Sequence, residues 1–380
     1  MKKAVLAPDS FKGTMGALEV CEIMERAIRR VFPEAELISI PVADGGEGSV
    51  QCFLRALGGS LVRLEASGPF FEPVGSFFGM LDDGRTAVLE VASCAGLPMV
   101  EGREAPDRTT TYGLGEMMLE AASRGAGKLI VGLGGSATND GGCGAAAAAG
   151  LRFLDGAGRE FVPTGGTLGE VAGIDAGGLS PLLSGLEIVA MCDIDNPLCG
   201  ERGAARVFAP QKGADGAMVE RLDAGLLHLA GVIRRDLGPD VLDMPGAGAA
   251  GGLGAGMKAF FGARMQMGIQ AVLDAVNFDE CLRGADLALT GEGRLDRQSL
   301  RGKVVIGVAK RAKAANVPVA AIVGDVGDGI EEMYENGVSG IFSINRIAAD
   351  FSVVRRDSPK NLELTVENLM RFLKAAKYGG

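Results

Sequence analysis

Histidine is nearly absent from this sequence, which contains one such residue in 380, and no two of its seven cysteines are spaced as CxxC. A structural zinc site, which is normally built from clustered cysteine and histidine ligands, is therefore not expected. The cysteines are scattered along the sequence and their number is odd, which is typical of reduced thiols in the cytoplasm. The one histidine, His228, lies opposite the apolar side of a helical pattern, so we expect carboxylates or lysine to carry any acid–base chemistry.

Long apolar runs and an excess of basic charge are also lacking. No stretch reaches about 18 uninterrupted apolar residues, and the run that follows Lys3 is too short for the core of a secretory signal. These features predict a cytoplasmic protein that does not cross a membrane. The formal net charge of −10 argues against nucleic acid as a partner, because nucleic acid requires a basic face. A small anionic substrate requires only a few local lysines or arginines. The sequence does not indicate an oligomeric state.

Glycine is abundant, at 60 residues, and it has no three-residue period but clusters beside carboxylates and lysines. Glycine lets backbone N–H groups approach an anion closely, whereas a neighbouring acid repels that anion unless a divalent cation lies between them. An oligophosphate with Mg²⁺ satisfies both conditions, so the pattern predicts a phosphoryl-transfer enzyme. Four segments combine these features: Asp9–Gly13, Ala43–Gly48, Gly132–Gly142 and Thr290–Asp296.

Short apolar runs alternate with helical patterns at both ends of the chain, which predicts an α/β fold. Neither end carries enough strands for a stable sheet of its own. We therefore expect residues 1–65 and 285–380 to form one discontinuous, Rossmann-like α/β domain. Residues 66–284 are predicted to form an inserted α/β domain with some antiparallel sheet, which contains the glycine-rich segment 132–142.

The segment 132–142 has further interpretations. Its beginning, Gly132-Leu-Gly-Gly-Ser-Ala137, matches the dinucleotide fingerprint, and Asp155 lies near the expected position of the ribose-binding acid. An NAD-dependent oxidoreductase of a small hydroxy acid is therefore the alternative function. A pyrophosphate bound there without a metal would be repelled by Asp140. The segment also resembles the phosphate loop of kinases of the galactokinase and homoserine kinase type, and a non-enzymatic nucleotide-binding regulator is a third interpretation.

Two loops that follow predicted strands near the amino terminus carry further candidates. Asp9 and Lys12 follow the first strand, and Asp44 and Glu47 follow the second. Neighbouring parallel strands end at the same sheet edge, where two acidic loops would repel each other without a cation. Asp9 is a candidate base or metal ligand, and Lys12 is a candidate ligand of a phosphate or carboxylate group.

Later loops add more candidates. Alternation would put Asp193 and Asp195 on one side if their strand continues, which predicts a Mg²⁺ pair, with helix capping as the other interpretation. Lys212 is either a surface lysine or a phosphate ligand.

Arg294 follows the strand predicted at 285–290, and Lys303 lies just before the next helix, so this loop is a candidate phosphate site. This loop is not a P-loop, because the P-loop motif GxxxxGK[ST] does not occur in the sequence.

Together these motifs resemble the blocks of bacterial type-1 glycerate kinases, in the order that the family shows, over residues 1 to about 325. Thr14, Ser49 and Ile194 replace residues that are often Ser, Thr and Val there. The blocks are Asp9-Ser-Phe-Lys-Gly13, Pro41-Val-Ala-Asp-Gly-Gly-Glu-Gly48, Gly132-Leu-Gly-Gly-Ser-Ala-Thr-Asn-Asp-Gly-Gly142, Cys192-Asp-Ile-Asp-Asn-Pro-Leu198, Pro210-Gln-Lys-Gly-Ala214, Gly248-Ala-Ala-Gly-Gly-Leu-Gly254 and Thr290-Gly-Glu-Gly-Arg294.

This resemblance implies an ATP-dependent kinase that phosphorylates D-glycerate with the help of Mg²⁺, with 2-phosphoglycerate favoured as the product. It also implies two α/β domains. The chemistry of phosphoryl transfer then gives the candidate residues their roles, because such an enzyme mainly positions its substrates and neutralises charge. The candidates are Asp44, Asp193, Lys12 and Asp9 for catalysis, Lys12, Arg294 and Ser10 for glycerate, Gly134, Gly135, Ser136, Thr138, Asn139, Lys212 and Lys303 for ATP, and Asp193, Asp195 and Glu47 for the metal.

Overall fold

The computed structural model describes residues 1–42, 45–301, 304–347 and 350–378, and strands alternate with helices through most of this length. The strands are β1 (Lys3–Pro8), β2 (Glu36–Ser39), β3 (Gly59–Ser67), β4 (Pro73–Leu81), β5 (Thr86–Glu90), β6 (Lys128–Gly132), β7 (Arg152–Leu154), β8 (Glu160–Phe161), β9 (Gly173–Asp175), β10 (Glu187–Met191), β11 (Arg264–Gln266), β12 (Leu287–Leu295), β13 (Val319–Val326) and β14 (Val338–Ser343).

The helices of the described residues differ widely in length. The α-helices are α1 (Ala17–Val31), α2 (Ser49–Leu57), α3 (Ala92–Ala95), α4 (Tyr112–Ser123), α5 (Cys143–Ala148), α6 (Ala204–Phe208), α7 (Gly216–Asp236), α8 (Ala249–Phe261), α9 (Gly268–Ala275), α10 (Phe278–Leu282), α11 (Val304–Ala314), α12 (Glu331–Glu335), α13 (Phe351–Val354) and α14 (Ser358–Tyr378). Short 3₁₀ helices cover Leu97–Val100, Gly165–Glu170, Pro181–Leu183, Pro210–Lys212, Arg297–Arg301 and Arg355–Asp357.

One compact unit comprises Met1–Ala43, Arg55–Leu57 and Ile269–Gly380. Its sheet has the strand order β14-β13-β12-β1-β2, and every neighbouring pair is parallel. The central strands β1 and β12 come from opposite ends of the chain, so the sheet cannot form from either end alone. Both strands are largely buried, as expected for a parallel sheet covered on its two faces. The helices α1 and α14 contribute to the same core.

The second compact unit comprises Asp44–Leu54 and Gly58–Gly268. Its six-stranded sheet has the order β11-β10-β6-β5-β4-β3. The first four of these strands are parallel to one another, and β4 and β3 extend the sheet in antiparallel pairs. A separate antiparallel sheet has the order β8-β7-β9. The α/β class predicted from the sequence is confirmed.

Several predicted boundaries differ from the structure. The predicted limit between residues 65 and 66 would cut β3, which pairs with β4 along its whole length and lies in the second unit. The predicted limit between 284 and 285 falls after α9 and α10, which lie in the first unit. Among the described residues, no helix is both long enough and apolar enough to span a lipid bilayer.

Candidate functional site

Two of the four glycine-rich segments contact each other at the carboxyl edge of the six-stranded sheet. The N–H group of Gly134, just after β6, donates a hydrogen bond to the carbonyl oxygen of Gly45 at 2.9 Å. A Cβ atom added to Gly134 would lie 2.7 Å from Cα of Gly46, and one added to Gly132 would collide with the Gly45 carbonyl. Only glycine permits this approach of two backbones. The segment around Gly45 therefore lies against the end of β6.

The end of β10 meets the same two segments. Leu133 donates its N–H group to the carbonyl oxygen of Met191 at 3.3 Å, and β10 ends at this residue. The strand therefore does not continue through Asp193 and Asp195, so alternation along a strand does not place them on one side. Asp193 accepts a hydrogen bond from the N–H group of Gly268 at 2.7 Å, and Asp195 forms an exposed ion pair at 3.0 Å with Arg202.

A pocket of about 270 Å³ lies where these loops converge, and its lining is of two kinds. Some of the lining residues are glycines or carry polar side chains: Gly46, Gly134, Gly135, Ser136, Asp193 and Lys212. Others carry apolar side chains: Leu97, Leu133, Ile194, Phe208, Ala249 and Ala250. This combination fits a ligand with an apolar portion and an anionic portion.

Among the described residues that line this pocket, Lys212 is the cationic one, and it is only 3% exposed. Its Nζ atom donates a hydrogen bond to the carbonyl oxygen of Thr138 at 2.6 Å. Burial lowers the pKa of Lys212 to about 8, although the negative charge of Asp140 opposes this shift. The interpretation of Lys212 as a surface lysine is therefore wrong.

The carboxylate of Asp140 holds the backbone beneath the pocket. It is fully buried and accepts hydrogen bonds from the N–H and hydroxyl groups of Thr111, at 2.7 and 2.8 Å, and from the N–H groups of Gly142 and Gly144, both at 3.1 Å. These donors lie at the beginnings of α4 and α5, so one carboxylate caps both helices. Burial nevertheless raises the pKa of Asp140. The repulsion of a bound pyrophosphate predicted from the sequence is weakened, because this charge faces protein donors and Lys212.

Glu90 plays a similar part and was not identified from the sequence. It is the last residue of β5, is 1% exposed, and accepts hydrogen bonds from the N–H groups of Gly48 at 3.3 Å and Val50 at 2.5 Å. It thereby caps α2 and fastens the segment 45–48 to the sheet. Burial raises the pKa of Glu90, and the charge of Glu47 adds to this effect. The sequence feature that could have identified Glu90 is an ionisable residue at the end of an otherwise apolar strand.

The remaining predicted ATP ligands of the 132–142 segment differ in their exposure. Gly134 is partly exposed, Gly135 is exposed, and Ser136 is buried but lines the pocket. Thr138 and Asn139 are fully buried. The side-chain amide of Asn139 makes no hydrogen bond to any described residue.

The other two glycine-rich segments meet in the first unit. Asp9 donates its N–H group to the carbonyl oxygen of Gly291 at 2.8 Å, and a Cβ atom on Gly293 would lie 3.3 Å from the backbone nitrogen of Lys12. The segment 290–294 is part of β12 and pairs with β13. The prediction that a loop begins after residue 290 is therefore wrong, because β13 supplies hydrogen-bond partners for the longer strand.

The predicted glycerate ligands of the first unit have these surroundings. Ser10 donates its N–H group to the carboxylate of Asp9 at 2.6 Å. The side chain of Lys12 is exposed. Arg294 is 65% exposed and forms an ion pair with Asp296 at 3.5 Å, so its guanidinium group is accessible to an anion.

Asp44 and Lys303 lie outside the described residues. Glu47 is exposed. Within the ranges that the structure describes, no group of three or more histidine, cysteine, aspartate or glutamate side chains is arranged to hold a metal ion. Mg²⁺ commonly uses one or two carboxylates together with substrate phosphates, so single carboxylates such as Asp193 still fit this role.

The acid on which the NAD-dependent alternative relied is used elsewhere. Asp155 lies in the turn between β7 and β8, in the small separate sheet. Its carboxylate accepts hydrogen bonds from the N–H groups of Ala157 at 2.8 Å and Arg159 at 2.9 Å. It therefore stabilises a tight turn and is not at the end of a neighbouring strand of the six-stranded sheet.

Comparisons with known proteins agree with the kinase interpretation. The model of the glycerate kinase family matches residues 4–374. The chain is 44% identical over 375 residues to a glycerate kinase of Bacillus cereus, covering 98% of both chains. It is 44% identical over 343 residues to a protein of Escherichia coli named glycerate 2-kinase, covering 90% of both chains. The crystal structure of a putative glycerate kinase 2 from Salmonella typhimurium matches with a TM-score of 0.88 and 42% identity, covering 99% of both chains.

The contact between the two glycine-rich segments predicts a strong effect of one methyl group. Gly134→Ala should push Gly46 away and lower the free energy of unfolding by about 1–3 kcal/mol, the usual cost of overpacking. It should also lower kcat/KM, because both residues line the pocket. Gly231→Ala is the matched control, since Gly231 lies in α7 with open space around its Cα; it should be neutral or stabilising by up to about 1 kcal/mol. Urea denaturation and kinase assays of both variants test this. The contact would be refuted if the two variants had the same free energy of unfolding and the same kcat/KM.

Proposed function

Because the chain belongs to the glycerate kinase family of phosphotransferases, we propose that it transfers the γ-phosphoryl group of ATP to the 2-hydroxyl group of D-glycerate. The products are 2-phosphoglycerate and ADP. The position of transfer is supported by the name of the Escherichia coli relative, glycerate 2-kinase. The main support for ATP binding is the pocket at the edge of the six-stranded sheet, because it combines glycine backbone with a buried lysine.

The proposed nucleotide site uses the two kinds of lining. The phosphates lie along Gly134, Gly135 and Ser136, whose backbone can approach them closely, and Lys212 neutralises part of their charge. The apolar side chains of the lining contact the base. Thr138 and Asn139 support this loop from beneath because both are buried. Lys303 stays a predicted phosphate ligand.

The proposed glycerate site uses the first unit. Lys12 and Arg294 bind the carboxylate of glycerate, because both are cationic and exposed, and Ser10 is a further ligand. In the reaction the 2-hydroxyl oxygen forms a bond to the γ-phosphorus, and the bond from that phosphorus to the bridging oxygen of ADP breaks. The hydroxyl proton passes to a carboxylate, for which Asp44 is our first candidate and Asp9 the second.

Mg²⁺ is proposed as the cofactor of this reaction. Its chemistry there is to neutralise charge on the transferring phosphates. Asp193 fits this role best, since it lines the pocket. Asp195 already pairs with Arg202, and the charge of Glu47 contributes to the raised pKa of the buried Glu90. We also place the reaction in the cytoplasm, because all seven cysteines are free thiols; recovery of the enzyme from a periplasmic or extracellular fraction would contradict this.

Product analysis tests the proposed function directly. The purified protein is incubated with ATP, Mg²⁺ and D-glycerate, and the products are identified by phosphorus NMR. We expect ADP and 2-phosphoglycerate in equal amounts, no activity in excess EDTA, and recovery with Mg²⁺ or Mn²⁺. Formation of 3-phosphoglycerate would correct the position of transfer. Full activity in excess chelator would refute the role of the metal. Reduction of NAD by the protein, in place of phosphorylation, would favour the alternative function, an NAD-dependent oxidoreductase.

A pair of carboxamide variants separates the base from the metal ligand. Asp44→Asn should fold, bind Mg-ATP within a few-fold of the wild type, and lose at least about 10²-fold in kcat, because a general base contributes about 10²–10⁴-fold. Asp193→Asn should lose activity that raised Mg²⁺ or Mn²⁺ partly restores. The opposite pattern of metal rescue would exchange the two roles, and near-normal rates in both variants would leave Asp9 as the candidate base.

A further inference from the structure

The buried ammonium group of Lys212 has few partners for its charge. Within the described part of the chain its Nζ atom makes one hydrogen bond, to the carbonyl oxygen of Thr138, and no ion pair. An ammonium group has three N–H donors, so one carbonyl leaves most of its donor capacity unused. Isolating a charge in this way is costly, and a site that keeps such a charge is prepared for an anion.

None of the described charged groups around Lys212 forms an ion pair with it. Asp140 attracts it, but the carboxylate of Asp140 already accepts four hydrogen bonds. Asp193 lines the same pocket. Glu104 packs against the neighbouring Gly213 and is exposed. Arg206, on the adjoining α6, is paired with Glu220 at 2.8 Å.

Backbone donors lie in the wall of the same pocket. Gly135 and Ser136 both line it, and the N–H group of neither donates a hydrogen bond to the described residues. Gly135 has a positive φ of 75°, which is a feature of backbone turns that bind anions through successive N–H groups. Two backbone donors and one buried ammonium group are therefore available to the same ligand.

We propose that Lys212, together with the backbone of Gly135 and Ser136, binds the phosphate chain of the nucleotide, and that Lys212 takes up a proton when this anion binds at alkaline pH. This inference rests on the proposed function of the pocket. A phosphate beside the ammonium group would add an opposite charge in direct contact, which no described residue provides. The protonated form is then favoured in the complex more strongly than in the free protein.

The size of the proton uptake follows from the state of the free protein. The pKa of Lys212 is about 8, so at pH 9 roughly a tenth of the free molecules carry the proton on this residue. If phosphate binding returns the pKa toward its ordinary value, most of the complex is protonated at pH 9. Binding should then take up close to one proton for each nucleotide.

Isothermal titration calorimetry at pH 9 tests this uptake, with Mg-ATP as the ligand. Repeating the titration in buffers of different ionisation enthalpy gives the number of protons exchanged. We expect an uptake of about 0.5–1 proton in the wild type, since the shift of the pKa sets this number. Binding of Mg-ATP without proton uptake would overturn the inference and leave the proposed function intact. Absence of any Mg-ATP binding would instead overturn both.

Three variants distinguish the charge of Lys212 from its titration. Lys212→Arg should bind Mg-ATP without uptake at pH 9, because arginine stays charged. Lys212→Met should weaken binding at pH 7 by about 10- to 100-fold, the usual effect of losing a charged hydrogen bond, and should show no uptake. Lys128→Met is the control at the far end of β6, with affinity and uptake like the wild type. Uptake that persists in Lys212→Met or Lys212→Arg would assign the proton to another group.

Stability of the free protein provides a readout that does not depend on the ligand. In the unfolded chain Lys212 should titrate near 10.5, compared with about 8 in the folded protein. Between these values the unfolded chain holds the additional proton, so the stability contributed by this group rises with pH. Wild-type protein should therefore gain stability relative to Lys212→Met from pH 8 to 10.5. A constant difference across this range would overturn the inferred titration.

Discussion

The candidate site depends on a contact between two stretches of bare backbone. Gly45 and Gly46 lie against Gly132 and Gly134, and a single Cβ atom on either of the latter two would separate them. This contact joins the start of α2 to the end of β6, so it brings together segments that are far apart in the sequence. The pocket exists because both segments, and the end of β10, reach the same sheet edge. Glycine at these positions therefore determines where the walls of the pocket lie.

Three buried charges hold this arrangement in place, and each of them is in an unfavourable environment for a charge. Glu90 fastens the segment 45–48, Asp140 caps α4 and α5, and Lys212 lies on the wall of the pocket. Burial shifts the pKa of each group toward its neutral form. The two carboxylates are compensated by backbone N–H donors. Lys212 is compensated least, which is the expected condition of a group whose partner is a ligand.

Much of the fold was predictable because hydrophobic periodicity is a local signal. The alternation of strands and helices and the pairing of the two chain ends followed from short apolar runs and from the number of strands at each end. The extent of β12 did not, because the glycines of 290–294 also fit a loop, and only the pairing with β13 decides between them. The same limit applies to Asp193 and Asp195, because the sequence did not show whether their strand continues, and in the structure it ends at Met191.

The site was predictable in its chemistry but not in its assembly. The glycine-rich segments indicated a phosphate-binding site. Which segments contact each other depends on the strand order, which brings 45–48 to 132–135 and 9–13 to 290–294. The burial of Lys212 and the capping by Glu90 come from tertiary contacts, as Glu90 accepts hydrogen bonds from residues about 40 positions away. No sequence pattern records such partners. The composition of a site is thus easier to infer than the side chains that hold it.

Hydrogen exchange with and without Mg-ATP tests most directly whether the edge of the six-stranded sheet is the nucleotide site. The account predicts that Mg-ATP slows amide exchange in peptides covering 45–52, 132–142 and 208–214, which converge on the pocket. It predicts no change in the small sheet formed by β7, β8 and β9, which lies outside the pocket lining. Protection confined to other segments, with these three unchanged, would contradict the central claim.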